Sequence, residues 1–337
     1  MKTLLLLCGA FVTLSCAPIP PVDMLADPDL EPPFVTSIDL VDETTLKVTF
    51  DEPVTATGPE VHGDQALGAI DWSVTDAVAT FVFENGAAPG FESYVEAQVE
   101  DNAGNNLRFL ARFYGRNDNL PDVLLNEITT QGSSSRPDIV ELVVLSDGDL
   151  AGLTVTEGTP TNWEQRMVFP EVLVEAGDYV VVHFRPDGTA EEIDEITDRT
   201  ASGGKSASDE GWDFWVPEGS GLSGNNGVIS LTRDPFGGYM DAFLYSNRTS
   251  ASDTNYAGFG SRDVMERANE IVEAGMWQIA GDAVAPEDAV NPEPSTATRS
   301  MARSSSSADT DSKSDWHITP TSGISPGLPN TDEEYEG

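Results

Sequence analysis

The sequence predicts an all-β protein made of two antiparallel β-sandwiches in tandem, the second with long loop insertions and one short helix. Three observations predict this. From Pro33 onward apolar and polar residues alternate with a period of two, the pattern of half-buried strands. Clusters of Gly, Asn, Asp and Pro punctuate the alternation, as turns between short strands require. Finally, 337 residues with 39% hydrophobic content exceed one average domain and supply apolar material for two cores.

The chain begins with a different pattern. Lys2 precedes the apolar run "TLLLLCGAFVTL", and small Ser15 precedes Cys16, the layout of a secretory signal. The run is shorter than the roughly 20 apolar residues of a spanning helix. It resembles a bacterial lipoprotein signal, in which the cysteine closing the lipobox is acylated and becomes the first residue of the mature protein. Thr13 stands where Leu or Val is usual, a looseness seen in lipoproteins of spirochaetes. Residues 1–15 are thus expected to be the signal peptide and Cys16 the lipidation site. The other reading is an ordinary cleaved signal. In both, Cys8 is discarded and one cysteine is left, so no internal disulfide forms. Residues 16–32, "CAPIPPVDMLADPDLEP", are rich in proline and acid and read as a semi-rigid tether.

Residues 33–115 carry the first sandwich. In "TTLKVTFDEPV", Leu46, Val48 and Phe50 face one way and Lys47 and Thr49 the other. Phe81 and Phe83 alternate ahead of an Asn85-Gly86 turn, and "SYVEAQVEDNAGN" ends in turn formers. Together "LKVTFDEPV" and "YVEAQVEDNAGN" resemble the bacterial Ig-like domains of surface proteins. Asp101, Asn102 and Asn105 could ligate calcium; in such a turn they more often satisfy backbone groups. Gly115, Asn117, Asp118, Asn119 and Pro121 break the strand pattern and mark the junction.

Residues 120–330 carry the second unit. Val123, Leu125, Ile128, Val140, Leu142 and Val144 lie in two strand-like runs, and further runs follow at "LAGLTVT", "GDYVVVHF" and "NGVISLTRDPFGGYMDAFLY". The ordered motifs "LLNEI", "IVELVV", "LAGLTV", "FPEVLVEAGDYVVV", "TRSMAR" and "DWHITPTSGISPGLPN" resemble a lamin-tail domain of the bacterial type, which implies an Ig-like sandwich. The span is about twice what such a sandwich needs, so insertions are expected near 185–221 and 247–298. In the second insertion Val264, Ala268, Ile271 and Val272 recur at helical spacing, with Ser261 and Asp263 as caps and Gly275 near the end. Residues 331–337 form an acidic tail.

Binding tends to reside in long loops on a rigid scaffold. Trp212, Phe214 and Trp215 in the first insertion are the candidate ligand contacts, burial beneath a folded-back loop being the other reading. Acidic residues outnumber basic ones 58 to 17, giving a net charge of -41, a field that repels phosphate backbones. Nucleic acid is therefore not an expected partner. The charge reads as a hydrated surface suited to salty surroundings or as a set of cation sites.

Catalytic patterns fail. Gly219, Gly221 and Gly224 satisfy G-x-G-x-x-G, but a strand follows where a helix is required. His62, His183 and His317 are the only histidines and lack zinc spacing. His183 reads as a strand-face residue. Asp309, Asp311 and Asp315 have calcium-loop spacing, but Lys313 interrupts them and the turn glycine is missing. The expectation is a lipid-anchored binding or structural module of the bacterial cell envelope, held to the outer membrane, without catalytic activity, metal or cofactor. Its expected partners are the membrane, through the anchor, and an envelope or surface protein or glycan. The alternative is a hydrolase working from carboxylates in the inserted loops of the second unit.

Overall fold

A computed structural model describes residues 29–57, 61–247 and 254–337. The signal peptide, Cys16 and most of the tether lie outside the described residues. Among the described residues no helix is long and apolar enough to cross a membrane.

In the first unit one sheet has the order β1-β2-β6-β5, from β1 (Val35–Asp42), β2 (Thr45–Phe50), β5 (Ile70–Thr75) and β6 (Val78–Phe83). The other is centred on β7 (Glu92–Asp101), which pairs with β8 (Asn106–Tyr114) on one side and with β3 (Val54–Ala56) and β4 (His62–Gly63) on the other. Alternation does what the sequence predicts: Leu46, Val48 and Phe50 are buried while Lys47 is exposed. Phe81 meets Phe109 edge to face and Phe83 stacks on Phe113, so aromatic pairs tie the two sheets into one core. The tight hairpin lies at Asp76, whose φ of 52° allows a two-residue link between β5 and β6. Asn85-Gly86 instead carries the chain from one sheet to the other. At the β7–β8 turn, Asp101 Oδ1 accepts the amides of Ala103 and Asn105 at 2.7 and 2.8 Å.

The second unit also has two principal sheets. β9 (Val123–Thr129), β10 (Ile139–Val144), β15 (Tyr179–His183), β16 (Trp212–Trp215), β19 (Met301–Arg303) and β20 (Trp316–Ile318) form one, in the order β16-β15-β10-β9-β19-β20. β12 (Thr154–Gly158), β13 (Trp163–Val168), β17 (Asn226–Asp234) and β18 (Gly237–Ser246) form the other, in the order β13-β12-β17-β18, and β11 (Gly148–Asp149) pairs with β14 (Leu173–Val174). Among the described residues the named strands pair antiparallel except β15 with β16, which is parallel. The first insertion is therefore a crossover that returns a strand to the sheet.

The second insertion supplies α1 (Arg262–Glu273). Ser261 caps it by accepting from Val264 N at 3.2 Å. Val264, Ala268 and Ile271 face the core, and Gly275, at φ 77°, ends the helix. Trp277, Val284 and Val290 from the same insertion join that core. The described part of the insertion enlarges the interior.

The two cores are separate: one gathers residues from Leu46 to Phe113, the other from Val123 to Trp316. The junction between them is tied. Asn117 Nδ2 donates to the carbonyls of Asp149 at 2.7 Å and Ala151 at 2.9 Å. Tyr114 meets Phe236 edge to face, 5.3 Å between centroids. Gly90, at φ +76°, sits so close that a Cβ would come within 2.7 Å of Gly152 N. The segment that breaks the strand pattern is thus a fastened joint, not a free linker.

Candidate functional site

The motifs that stand out in the second unit converge on one buried polar layer. β9 contains a bulge: Glu141 of β10 is opposite Glu127, and the next pair is Leu142 with Leu125, leaving Asn126 as the extra residue. A bulge re-aims side chains locally, and here Asn126 and Glu127 both meet the layer. Asn126 Nδ2 donates to Glu141 Oε1 at 2.7 Å.

The chain's end then closes over these carboxylates. Ser300 Oγ donates to Glu127 Oε1 at 2.5 Å, Ser325 N donates to Glu127 Oε2 at 3.0 Å, and Gly327 N donates to Glu141 Oε2 at 2.6 Å. Asn330 Nδ2 donates to the carbonyls of Asn126 and Arg303 at 3.0 and 2.9 Å. Gly327 has φ +80°, and a Cβ there would lie 2.7 Å from Gly211 N; no other residue type fits. All seven residues of β9 and all six of β10 are buried, because one face meets the core and the other meets this strap.

Burial pushes Glu127 up to about 7. Burial, and then the charge of Glu127, push Glu141 well above the ordinary carboxylate range. Beside them Arg303, fully buried, holds Asp241 at 2.7 Å and donates to Leu125 O at 2.8 Å. Burial raises Asp241 to about 7 against the pull of that guanidinium. Buried charges of this kind persist only when partnered. The motif residues are therefore fastenings of the strap. Sequence reading marked the motifs but not Glu127, Glu141 or Arg303 as one network. The signal was the three-residue step from Leu125 to Ile128, where a plain strand steps by two.

The aromatic trio takes a different place from that expected of ligand contacts. Trp212, Phe214 and Trp215 are β16; Phe214 and Trp215 are buried and Trp212 packs partly buried against the core. The crossover returns them to the sheet edge, where Phe214 meets Phe169 at 4.9 Å. Burial, the other reading of these aromatics, describes Phe214 and Trp215, while Trp212 stays partly exposed. His183, on β15, is fully buried with Nε2 2.7 Å from Asp213 Oδ1 and its ring stacked on Trp215 at 3.9 Å.

The open feature is a groove at the junction of the units. Its polar part, about 640 Å3, includes Asp39, Arg116, Asn117, Arg233 and Asp234. Its apolar part, about 510 Å3, runs between β1 and β8 past Ile38, Leu40, Phe113, Tyr114 and Phe236. Ile38, Leu40, Tyr114 and Asp234 line both, so the two are continuous. Arg116 braces one wall through Val41 O at 3.0 Å and Asp118 Oδ1 at 2.5 Å. Elsewhere, carboxylate oxygens of Asp29, Glu52 and Asp101 lie within 4.8 Å of one another. Asp101 also serves its own turn. Sequence reading missed the groove because its walls come from β1, β8 and the β17–β18 hairpin, three segments far apart in the chain.

Two β-sandwich units joined by a tied groove, the second closed by its own C-terminal strap, define the class of protein. The chain belongs to the family described as "TP_1001_2nd: protein second domain", whose model matches residues 121–318. It is 28% identical over 158 residues to an uncharacterized protein of Treponema pallidum (strain Nichols), an alignment covering 47% of this chain and 40% of that relative. The aligned part thus spans about two fifths of the relative's length. Among solved structures, a DUF4876 family protein from Bacteroides thetaiotaomicron VPI-5482 matches at 12% identity and a TM-score of 0.29, over 78% of this chain and 93% of that one.

Proposed function

We propose that the protein is a lipid-anchored module of the bacterial cell envelope, tethered to the outer membrane through Cys16, that binds or scaffolds and does not catalyse. In this reading residues 33–115 are a bacterial Ig-like domain and residues 120–330 a lamin-tail-like domain, both presented to a protein or glycan partner. The observation that carries it is the junction groove: an open, part-apolar surface whose two walls are fixed to each other by Asn117 and by the Tyr114–Phe236 contact. Preorganised concave surfaces of this kind favour binding.

Carboxylate chemistry finds less support. The close pair Glu127 and Glu141 lies beneath the strap with its oxygens occupied by Ser300, Ser325, Asn126 and Gly327. His183 is sealed against Trp215. The test is radioactive palmitate labelling of cells that express the full chain or Cys16→Ser. Label and membrane partition in the first and loss of both in the second are expected. A variant that stays labelled and membrane-bound overturns the anchor.

A further inference from the structure

The second unit covers the edge strands β16, β18 and β20. On β16 the amides of Asp213 and Trp215 donate to the carboxylates of Glu195 at 2.7 Å and Asp194 at 2.8 Å. Val290 runs along β18, accepting from Ser246 N at 2.9 Å and donating to Leu244 O at 3.0 Å. Tyr335 N covers β20 at Ile318 O, 2.8 Å.

The first unit leaves β8 open. This nine-residue strand pairs with β7 alone, and among the described residues nothing bonds its other edge. Unpaired backbone groups along such an edge form a template for another strand.

Two depressions meet there. The apolar part of the groove, with Ile38, Phe113 and Phe236, lies along the edge; a pocket of about 260 Å3 with Glu92, Ser93 and Tyr94 of β7 lies over the sheet beside it, and both include Leu110 and Arg112. Leu110 is 55% exposed and Phe236 52%. Successive side chains of a strand point to opposite faces, so an added strand would turn one set of side chains to the groove and the other to the outer face beside Arg108, Leu110 and Arg112, the recurring arrangement of strand addition.

Charge selects the strand. Arg108, Leu110 and Arg112 share the outer face, and the arginine side chains are 69% and 59% exposed while pairing inward with Glu96 and Glu92 of β7. Each guanidinium has five donors and can serve a second carboxylate. A second copy pairing antiparallel about Leu110 would set Arg108 against Arg112 twice, and like charges directly opposite are unfavourable. A strand with carboxylates opposite both arginines and an apolar residue opposite Leu110 is complementary.

We propose that the β8 edge docks an extended segment of pattern acid-apolar-apolar-apolar-acid, added as a strand; this names the partner class of the binding module above and rests on that reading. The probe is a capped nine-residue peptide, Ser-Thr-Glu-Val-Val-Val-Glu-Thr-Ser, with a version carrying Lys for both Glu. With the full chain, hydrogen exchange should slow across residues 106–114 when the acidic peptide is added, and not with the lysine peptide. The double variant Arg108→Glu, Arg112→Glu should lose about tenfold in affinity for the acidic peptide and come to prefer the lysine one. Leu110→Asp, which leaves both ion pairs in place, should also weaken acidic-peptide binding. Unchanged exchange over 106–114 at millimolar peptide overturns the proposal, as does a double variant with wild-type preference. Protection confined to other segments refutes β8 as the site while leaving the module reading standing, since that reading is tested by the palmitate label.

Discussion

The amide of Gly327 donates to the Glu141 carboxylate at 2.6 Å across 186 residues of chain. Together with Ser325 on Glu127, it makes the segment around residues 325–327 the lid of a buried pair of acids. Closing a contact of such separation is entropically costly, so the strap should join late and hold cooperatively.

Gly327→Ala tests that contact. The substitution places a side chain at φ +80° and within 2.7 Å of Gly211 N, so it should destabilise the second unit by about 2–3 kcal/mol. Chemical denaturation checks it. The first unit, whose core shares no residue with the strap, should be affected only through the tied junction.

Stability should fall as pH rises from about 4.5 to above 7. Burial lifts Glu127 to about 7 and Glu141 well above its ordinary value, so the folded state holds protons that the unfolded state has released. Their contribution is complete below the unfolded pKa and is lost as pH climbs through the folded one. For Glu127 alone the loss is on the order of 3 kcal/mol. Thermal melts at fixed high ionic strength should show it, and Glu127→Gln should flatten the slope. The carboxylates held low, Asp42, Asp101, Asp198 and Asp332, act only below this window.

Asn117→Ala removes two hydrogen bonds that fasten the units. Each such bond is worth about 1 kcal/mol. Calorimetry of the variant should resolve two transitions closer to those of independent units, while the wild type melts with its units coupled.

The net charge of -41 should make the fold salt-dependent. Screening lengths fall from about 30 Å at 0.01 M to about 3 Å at 1 M, so the melting temperature should rise over that range, equally in sodium and potassium chloride. Calcium-specific stabilisation at constant ionic strength would instead point to Asp29, Glu52 and Asp101.

Much of this fold was legible because period-two burial writes itself directly into sequence. Leu46, Val48 and Phe50 alternate as their strand does, and the α1 residues Val264, Ala268 and Ile271 repeat with the helix, complete with the Ser261 cap and Gly275 stop. What was hidden depends on distant chain meeting distant chain. Trp212, Phe214 and Trp215 looked like loop aromatics because parallel pairing to β15 leaves no local turn signal. Asn85-Gly86 reads as a turn, but the dipeptide carries no record of which sheet comes next. The groove was invisible for the same reason: Ile38, Tyr114 and Phe236 become neighbours only when both units are in place.

The central claim is that the two-sandwich body is presented from a membrane by Cys16. Mass spectrometry of the N-terminal peptide from the membrane-extracted protein tests it most directly. The account predicts a peptide that begins at Cys16 and carries the mass of covalently attached acyl chains. A mature N-terminus at any other residue, or an unmodified Cys16 thiol, would contradict it.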